Sequence, residues 1–426
     1  MRSIHLGRAR RKTIATIFAG LAIRELFSFW TGHPTDFELW VRLGYAMNHG
    51  GDPYGMLPAV PGLSFANVFG NLNAPTIAYL PFWPLLTGLI YALYSLVGSN
   101  DRFVYYFLLK QPEIFGDVGL AYLLFSYVCS RKPGASSYWV LFFWLFSPFT
   151  IIISSIWGMF DGIAICFILA SVMSDTQVKK ALWTGLGIFA KSIPIIYAAP
   201  TTMKTFKDAW ALIAALTIPA ALSLVTFAIM KWPISTINAT LASTVEKGGS
   251  SMSIWDAFFY LNYIGLIPTL TPLEYRTLGI LWVPILVVCT WLAIKHFKIE
   301  TDYGLNQVLL VCTLVFLIFK ARVTEQYALY LFTFAAIDVA LWNPKRKSLL
   351  LGTMSVAMIY LVMNNYFLVR FLSPVYPDFA SFENALYLAI GPMRYAVDFL
   401  SGTAFTCLNI KYLADVLRGT SKGRRR

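Results

Sequence analysis

The sequence predicts an all-α fold, a polytopic transmembrane helix bundle with roughly nine to thirteen spans or re-entrant segments of about 20 residues each. Three observations support this prediction. Of the 426 residues, 58% are hydrophobic and 13% are charged, whereas about 25% of the residues of a soluble chain are charged. Apolar runs long enough to cross a bilayer recur along the chain. The basic residues, which give a net charge of +13, collect at the ends of these runs.

The basic clusters predict how the chain is oriented in the membrane. Lys and Arg are enriched at the cytoplasmic ends of spans, so the clusters in residues 8–12 and 422–426 predict cytoplasmic termini. The same positions explain the net charge without a nucleic-acid partner. The first apolar run, residues 13–30, has no A-x-A cleavage site and is expected to be a retained span. We expect residues 1–426 to form a single multi-pass membrane domain.

Residues 31–75 form the predicted first outer loop, which carries an acidic helix at its start. Thr35-x-x-Glu38 is the signature of a capping box, and apolar residues follow at helical spacing. The turn residues that begin at His49 end this short amphipathic helix, which we expect in the membrane interface. Capping explains Glu38. Asp36 has no structural duty in this pattern and is the candidate for chemistry.

The next two apolar segments leave a question of topology open. If residues 75–96 and 102–129 both cross the membrane, the basic pair Arg131-Lys132 lies outside. If residues 75–96 form a re-entrant or interfacial hairpin, the pair lies inside. The three prolines of residues 75–96 favour the hairpin, because irregular backbone is tolerated at membrane depth where it lines a cavity.

The remaining segments alternate between spans and outer turns. Residues 137–156 predict a span interrupted at Ser147-Pro148. Residues 182–200, which contain Lys191 and Pro194, predict a partial crossing. Residues 231–256 form the predicted second outer loop, and residues 371–383 form a third. Further apolar runs cover residues 162–173, 209–230, 278–297, 307–319, 327–342, 349–366 and 384–417.

Ionisable residues inside apolar runs mark functional candidates, because a charge at the centre of a span costs about 2.5–3.5 kcal/mol. Lys110, Glu113 and Asp117 lie on one helix face. A Lys110–Glu113 ion pair that packs the bundle is an equally good explanation of that face. Arg24 and Glu25 are expected to be either functional or a local pair near the outer end of the first span.

Another group of polar residues lies at predicted helix ends. Asp161 begins a helix, where it is either a cap or a substrate contact. Lys191 lies alone in an apolar run, and a buried lysine needs an anionic partner. Arg322, Glu325 and Gln326 share one face at an outer tip. A guanidinium there can hold a phosphate with two hydrogen bonds, although a solvated turn would have the same composition.

These residues fit one chemical task at the membrane surface. Cations can hold the phosphate of a lipid-linked phosphosugar, while an acid deprotonates an acceptor hydroxyl for in-line displacement at the sugar carbon. The five cysteines lack C-x-x-C spacing and the four histidines lack H-E-x-x-H spacing, so no cofactor or metal is expected. A divalent ion at an acid pair stays open.

The order of the motifs resembles the GT-C superfamily of polytopic glycosyltransferases. In length and motif style, residues 24–330 are similar to the polyprenyl-phosphate-mannose-dependent mannosyltransferases, including glycosylphosphatidylinositol mannosyltransferase I and its prokaryotic relatives. Met159 stands where the family often has Gln, and Thr324 stands where it often has His. The motifs are Asp36-x-Glu38, Asp52-Pro53-Tyr54, Lys110-x-Pro112, Trp157-Gly-Met-Phe-Asp161, Lys191-x-x-Pro194 and Arg322-Val-Thr-Glu325-Gln326-Tyr327.

The resemblance implies inverting transfer of a hexose, mannose by preference, from a dolichyl- or polyprenyl-phosphate donor. The acceptor would be a lipid- or glycan-linked hydroxyl on the lumenal or extracellular face, and membrane lipids would surround the enzyme. The catalytic base of the family maps onto Asp36, beside Glu38. Lys191, Arg322 and Lys110 are the expected phosphate ligands. The expected substrate contacts are Asp161, Glu325, Gln326, Trp157 and Tyr54.

Two other classes of function compete with a transferase. A transporter or flippase would use the same intramembrane charges to pass an anionic or lipid-linked substrate. The long acidic outer loop and the lack of an internal sequence repeat count against this class. A non-catalytic subunit of a membrane glycosylation complex is the third alternative. The sequence does not predict an oligomeric state.

Overall fold

The chain folds into α-helices, as the sequence predicts. The computed structural model describes residues 2–65, 77, 79–203, 205–235, 251–268, 271–376 and 379–419. Most of the predicted second outer loop and residues 66–76 of the first therefore lie outside the described residues. The helices are α1 (Arg2–Ser28), α2 (Asp36–Asn48), α3 (Phe82–Val97), α4 (Arg102–Arg131), α5 (Ala135–Leu145), α6 (Pro148–Ile151), α7 (Asp161–Val172), α8 (Gln177–Ala190), α9 (Ala198–Thr202), α10 (Ala209–Met230), α11 (Asp256–Tyr263), α12 (Pro272–His296), α13 (Asp302–Phe319), α14 (Ala328–Leu341), α15 (Lys347–Asn364) and α16 (Phe379–Arg418).

Five of the described helical segments are long and apolar enough to cross a membrane: α4, α10, residues 279–296 of α12, α13, and residues 344–364. A sixth results if α5 and residues 148–157 form one span across a 44° bend. The helices α3 and α7 are apolar but shorter. The bundle is thus a multi-pass one. The sequence-based count of roughly nine to thirteen also includes helices that are short or more polar.

The break at Ser147-Pro148 has a local cause. Proline disfavours helical backbone at the residue before it, and Ser147 is extended, with ψ at 123°. The chain then passes through a π-helix, Ile152–Trp157, which ends at Gly158 with φ at 86°. A Cβ at Gly158 would lie 2.9 Å from the Phe37 ring, so glycine permits both the turn and the close contact with α2. This turn places Trp157 beside the start of α2.

The predicted partial crossing at residues 182–200 is a broken helix. α8 ends at Ala190, and Lys191 is extended, with φ at −153° and ψ at 138°. A 3-10 helix, Ile193–Tyr197, follows with Pro194 in its first turn. Since proline has no N–H to continue an α-helix, the break follows from the sequence. Lys191 therefore lies at the break between two helical segments.

The acidic helix α2 begins at Asp36 as predicted, but the predicted capping box is wrong. The Thr35 side chain makes no capping hydrogen bond. Instead, His33 Nδ1 accepts hydrogen bonds from the backbone N–H groups of Thr35 and Asp36, both at 3.2 Å. The Glu38 side chain turns away from the helix N-terminus. Glu38 accepts from Arg42 Nε at 2.6 Å and from the backbone N–H of Phe65 at 3.1 Å.

Two ion pairs that the sequence offered as alternatives to a functional role are not formed in the described part of the chain. Arg24 pairs with Asp117 of α4, with 2.6 Å between Nη2 and Oδ2, and not with Glu25. Trp144 Nε1 of α5 donates to the same Asp117 carboxylate at 2.7 Å. This buried cluster joins α1, α4 and α5. Neither carboxylate oxygen of Glu113 has a hydrogen-bond partner among the described residues, so the alternative of a Lys110–Glu113 pair is not formed.

Candidate active site

A cavity of about 640 Å³ lies where α2 meets the break at Lys191 and the segments around residues 320–327 and 364–370. The chain brings these segments together from positions hundreds of residues apart. The motifs predicted from sequence therefore converge in space. The predicted site residues on the cavity wall are Asp36, Trp157, Lys191, Arg322, Glu325 and Gln326.

One side of the cavity is apolar. The 3-10 helix supplies Ile193, Ile195 and Ile196, while α12 and α13 supply Trp282 and Phe316. Ile195 is 49% exposed. Most residues in the apolar part of α12 are not buried within the protein. This wall therefore borders a surface that suits contact with lipid.

The Asp36 carboxylate is the acid at the floor of the cavity. Its Oδ2 atom accepts a hydrogen bond of 2.9 Å from Trp157 Nε1. Burial raises the pKa of Asp36 above the usual aspartate value, and the Trp157 hydrogen bond and the charges of Lys191, Arg322 and Arg370 oppose this rise. The side chain keeps 28% of its surface accessible, and it lines the cavity. A carboxylate in this position can accept a proton from a bound hydroxyl group.

Positive charge exceeds negative charge among the described residues of the wall. Five cations face two acids, Asp36 and Glu325. Neither Lys320 nor Arg322 forms an ion pair within the described ranges. Burial, with the neighbouring Arg322 charge, lowers the pKa of Lys320 to about 8. The other three cations pair with carboxylates that are not on the wall, so Lys320 and Arg322 are the charges that suit the cavity to an anionic ligand. The cations are Lys191, Lys320, Arg322, Arg370 and Arg394.

The sequence suggested that Lys191 has no neighbouring charge, but in the structure Asp161 is its partner. The Lys191 ammonium lies 2.7 Å from Asp161 Oδ2, and both side chains are buried. The ammonium is also 4.9 Å from the centre of the Phe160 ring. Asp161 does begin α7, as predicted, but its carboxylate lies behind Lys191 and is not on the cavity wall. Asp161 is therefore placed to position Lys191 rather than to touch a substrate.

The late motif supplies the opposite wall. Glu325 and Gln326 belong to a buried 3-10 turn, Glu325–Tyr327, directly before α14. Asn364, the last residue of α15, donates to Glu325 Oε1 at 2.7 Å. Gln326 Oε1 has no hydrogen-bond partner among the described residues. Gln326, which lines the cavity, therefore has a buried carbonyl oxygen without a donor in the described structure.

A turn with strained backbone, residues 366–368, leads to the part of the cavity wall that Arg370 forms. Tyr366, Phe367 and Leu368 all have positive φ, at 49°, 59° and 68°. Such backbone costs about 1–3 kcal/mol at each non-glycine residue and clusters at functional sites. The turn leads to Phe371, whose carbonyl accepts from the Gly32 N–H at 2.9 Å. It also carries Arg370 to the cavity.

Lys110 lies away from the cavity wall. Its ammonium donates to the carbonyl oxygens of Thr31 and Ser155, both at 2.6 Å, and to Thr31 Oγ1 at 2.9 Å. It therefore ties the segment after α1 to the π-helix. This placement argues against the predicted contact between Lys110 and the donor phosphate.

Glu38 and Tyr54 also lie outside the cavity wall. The Glu38–Arg42 pair is buried, and Arg42 Nη1 donates to the Leu57 carbonyl at 3.2 Å. The Tyr54 ring stacks on Phe227 with 5.1 Å between ring centres. Both residues thus anchor the first outer loop. In the described part of the chain, no three His, Cys, Asp or Glu side chains converge as a metal-binding group.

Several polar residues of the cavity wall were not predicted from the sequence. Lys320 and Arg370 follow apolar runs, where basic residues were assigned to membrane orientation. His33 precedes the acidic helix, and Asn364 ends an apolar run. Arg394 lies within the final helix, α16. A polar residue at the outer end of each span was the available signal, but it does not distinguish a cavity from a solvated surface.

Lys110→Met tests the structural role of Lys110. We expect a lower midpoint of thermal unfolding in detergent. The buried Thr31 carbonyl would lose its Lys110 donor, at about 1–3 kcal/mol, and the Ser155 carbonyl would keep only the 3.5 Å hydrogen bond from Thr31 Oγ1. Binding of the donor should not change. Lys179→Met, at an exposed lysine, is the control. Weaker donor binding at unchanged stability would show that Lys110 contacts the phosphate after all.

The similarity of this chain to known proteins lies in its structure. No protein-family model matches the chain. No curated protein matches the sequence. The structure is similar to the crystal structure of ArnT from Cupriavidus metallidurans bound to undecaprenyl phosphate. The two chains are 11% identical, the match covers 96% of this chain and 77% of that chain, and the TM-score is 0.46.

Proposed function

We propose that the protein is a membrane glycosyltransferase that takes its sugar from a lipid-phosphate donor. The observation that carries the proposal is the composition of one cavity. It joins the Asp36 carboxylate, two cations without ion pairs in the described structure, and an apolar wall that borders the lipid-facing surface. A phosphosugar on a long lipid chain needs these three features together.

In this proposal, the phosphate of the donor lies toward Lys320 and Arg322. The Arg322 guanidinium suits bidentate contact with phosphate oxygens. The lipid chain lies along the apolar wall of Ile193, Ile195 and Trp282 and leaves the protein toward the bilayer. Both ends of the donor are then in the environment that each prefers.

The reaction is a displacement at the anomeric carbon of the sugar. Asp36 accepts the proton of the acceptor hydroxyl, and the oxygen attacks the anomeric carbon. The bond from that carbon to the phosphate oxygen breaks, and its electron pair stays on the phosphate. The cations stabilise the developing charge, which is the largest contribution in many enzymes. Attack from the side opposite the leaving group inverts the configuration.

The finer assignment comes from the resemblance of the motifs. We propose that the sugar is a hexose, with mannose first, that the lipid is dolichyl or polyprenyl phosphate, and that the acceptor is lipid- or glycan-linked. The positive charges near both termini support a cytoplasmic location for them and an active site on the lumenal or extracellular face.

The direct test is transfer of radiolabelled sugar by the purified full-length protein. Polyprenyl-phosphate mannose and polyprenyl-phosphate glucose are the donors, membrane lipid extract supplies acceptors, and a nucleotide sugar is the control donor. We expect a labelled product from a lipid-phosphate donor only. Movement of labelled lipid between vesicle leaflets without a product would support a flippase instead.

Cysteine labelling tests which face of the membrane carries α2. Asn48 is exposed at the last position of this helix. Asn48→Cys should react with an impermeant thiol reagent on intact cells. Lys179→Cys lies in the basic pair Lys179-Lys180 between two apolar runs, a composition typical of a cytoplasmic turn, and should react only after permeabilisation. The parent chain controls for its five native cysteines. The reverse pattern would place the cavity on the cytoplasmic side.

A further inference from the structure

His33 lies between the end of α1 and the start of α2, directly against the candidate base. Its ring stacks on Trp157 with 4.7 Å between ring centres and an angle of 18°. Its Nδ1 atom accepts the backbone N–H groups of Thr35 and Asp36. Pro34, which lies between His33 and Thr35, has no N–H that would need a partner. The His33 side chain thus caps the helix that carries Asp36.

The hydrogen bonds define the protonation state of the ring. Because Nδ1 accepts two amide protons, it carries no proton of its own. Burial, together with the charge of Arg370, keeps the pKa of His33 well below the usual histidine value. The 3.4 Å contact between Nδ1 and Asp36 Oδ2 is therefore not an ion pair. The neutral ring places a lone pair beside the carboxylate.

Together, the two stacked rings hold Asp36 at both ends of the residue. His33 accepts from its backbone N–H, and Trp157 Nε1 donates to Oδ2. Asp36 Oδ1 is the oxygen left without a hydrogen bond in the described part of the chain. The backbone reinforces the pair, since the His33 N–H donates to the Trp157 carbonyl at 3.3 Å. Phe371 packs against both rings, at 5.9 Å and 5.6 Å.

We propose that His33 is a positioning residue for the transfer reaction: as a neutral acceptor stacked on Trp157, it orients Asp36 so that Oδ1 takes the proton of the acceptor hydroxyl. This inference rests on the proposed function. It assigns the reacting atom and explains why Oδ2 is engaged by Trp157. His33 itself does not touch the substrate in this mechanism. A positioning group matters because a misplacement of about 1 Å can cost about 10²-fold in rate.

Two substitutions of His33 test separately the hydrogen-bond acceptor and the aromatic ring of its side chain. His33→Phe keeps an aromatic ring for Trp157 but has no acceptor, whereas His33→Asn supplies a capping oxygen without the ring. We expect His33→Phe to lower kcat about 10- to 100-fold, with the donor KM changed less than about twofold. His33→Asn should restore kcat to within about fivefold of the parent. His49→Phe, near the other end of α2, is the matched control and should behave like the parent protein.

The outcomes decide between positioning and folding. Thermal unfolding in detergent is measured for each variant. The inference is overturned if the loss in kcat only follows the loss of stability. It is also overturned if His33→Asn is as slow as His33→Phe. Trp157→Phe completes a double-mutant cycle: we expect His33→Phe/Trp157→Phe to lose less than the product of the single losses. Multiplicative losses also overturn it. If Asp36→Asn is inactive while His33→Phe has the parent kcat, only this inference fails. If Asp36→Asn is fully active, Asp36 is not the base and this inference fails with that assignment, whereas the proposed function itself fails only if the parent protein transfers no sugar from a lipid-phosphate donor.

Discussion

Asp36→Asn is expected to lower the rate of sugar transfer by about 10²–10⁴-fold, the usual contribution of a positioned general base. Asparagine keeps the size of the side chain, and its carbonyl oxygen can still accept from Trp157 Nε1. It removes the proton acceptor only. Donor binding and thermal stability should therefore stay near those of the parent chain, so that the loss appears in kcat. The measurement is initial transfer rate at saturating donor, with donor binding measured separately.

The rate of sugar transfer should also depend on pH through the ionisation of Asp36. Transfer needs the ionised carboxylate, and burial raises the pKa of Asp36. The rate should therefore fall as the pH is lowered, with a midpoint above the ordinary aspartate pKa of about 3.9. The residual activity of Asp36→Asn should lack this acidic limb.

Glu38→Gln is the matched control for Asp36→Asn, because Glu38 is an acid of the same helix. Its carboxylate belongs to the buried pair with Arg42, and breaking a buried ion pair typically costs about 3–5 kcal/mol. We expect lower stability, moderated by the hydrogen bonds that glutamine retains, and little direct effect on turnover. If Glu38→Gln or Asp161→Asn abolished transfer while Asp36→Asn stayed active, the base would be another residue.

Arg322→Ala is expected to weaken binding of the lipid-phosphate donor by about 10- to 100-fold. A hydrogen bond to a charged group is worth about 1.5–3 kcal/mol, and 1.4 kcal/mol is about a tenfold change in Kd. Arg322→Lys should fall between Ala and the parent, because it keeps the charge and loses the bidentate geometry. Since Arg322 has no ion pair in the described structure, stability should not change. Arg131→Lys, at an exposed ion pair, is the control.

Lys191 needs a different design, because Asp161 is its buried partner. Lys191→Gln alone would leave a buried carboxylate unpaired and destabilise the bundle, whatever its role toward the donor. Lys191→Gln/Asp161→Asn removes both charges, and its donor affinity reports on the phosphate directly. If neither Arg322→Ala nor this double variant weakens donor binding, Arg322 and Lys191 do not hold the phosphate, and Lys320 is the proposed ligand that is left to test.

Several features of this protein were determined by the sequence alone. The apolar runs predicted a membrane helix bundle, because hydrophobicity over about 20 residues is a property of the segment itself. Pro148 and Pro194 predicted the broken helices, since proline acts on its own turn of backbone. The start of α2 at Asp36 was predicted as well. The motif order also selected six residues that line one cavity.

Only the tertiary structure decided what each charged side chain does. Lys110, Glu38 and Tyr54 matched the expected motifs, yet they anchor loops. Lys191 appeared to be alone, yet it pairs with Asp161, 30 residues away. The helix N-terminus was assigned to Thr35, whereas His33 caps it. Backbone preferences depend on near neighbours in the chain, but the partner of a buried charge depends on which helices pack together. For that reason the sequence identified most of the candidate residues, whereas the packing of the helices decided which of them line the cavity and which stabilise the fold.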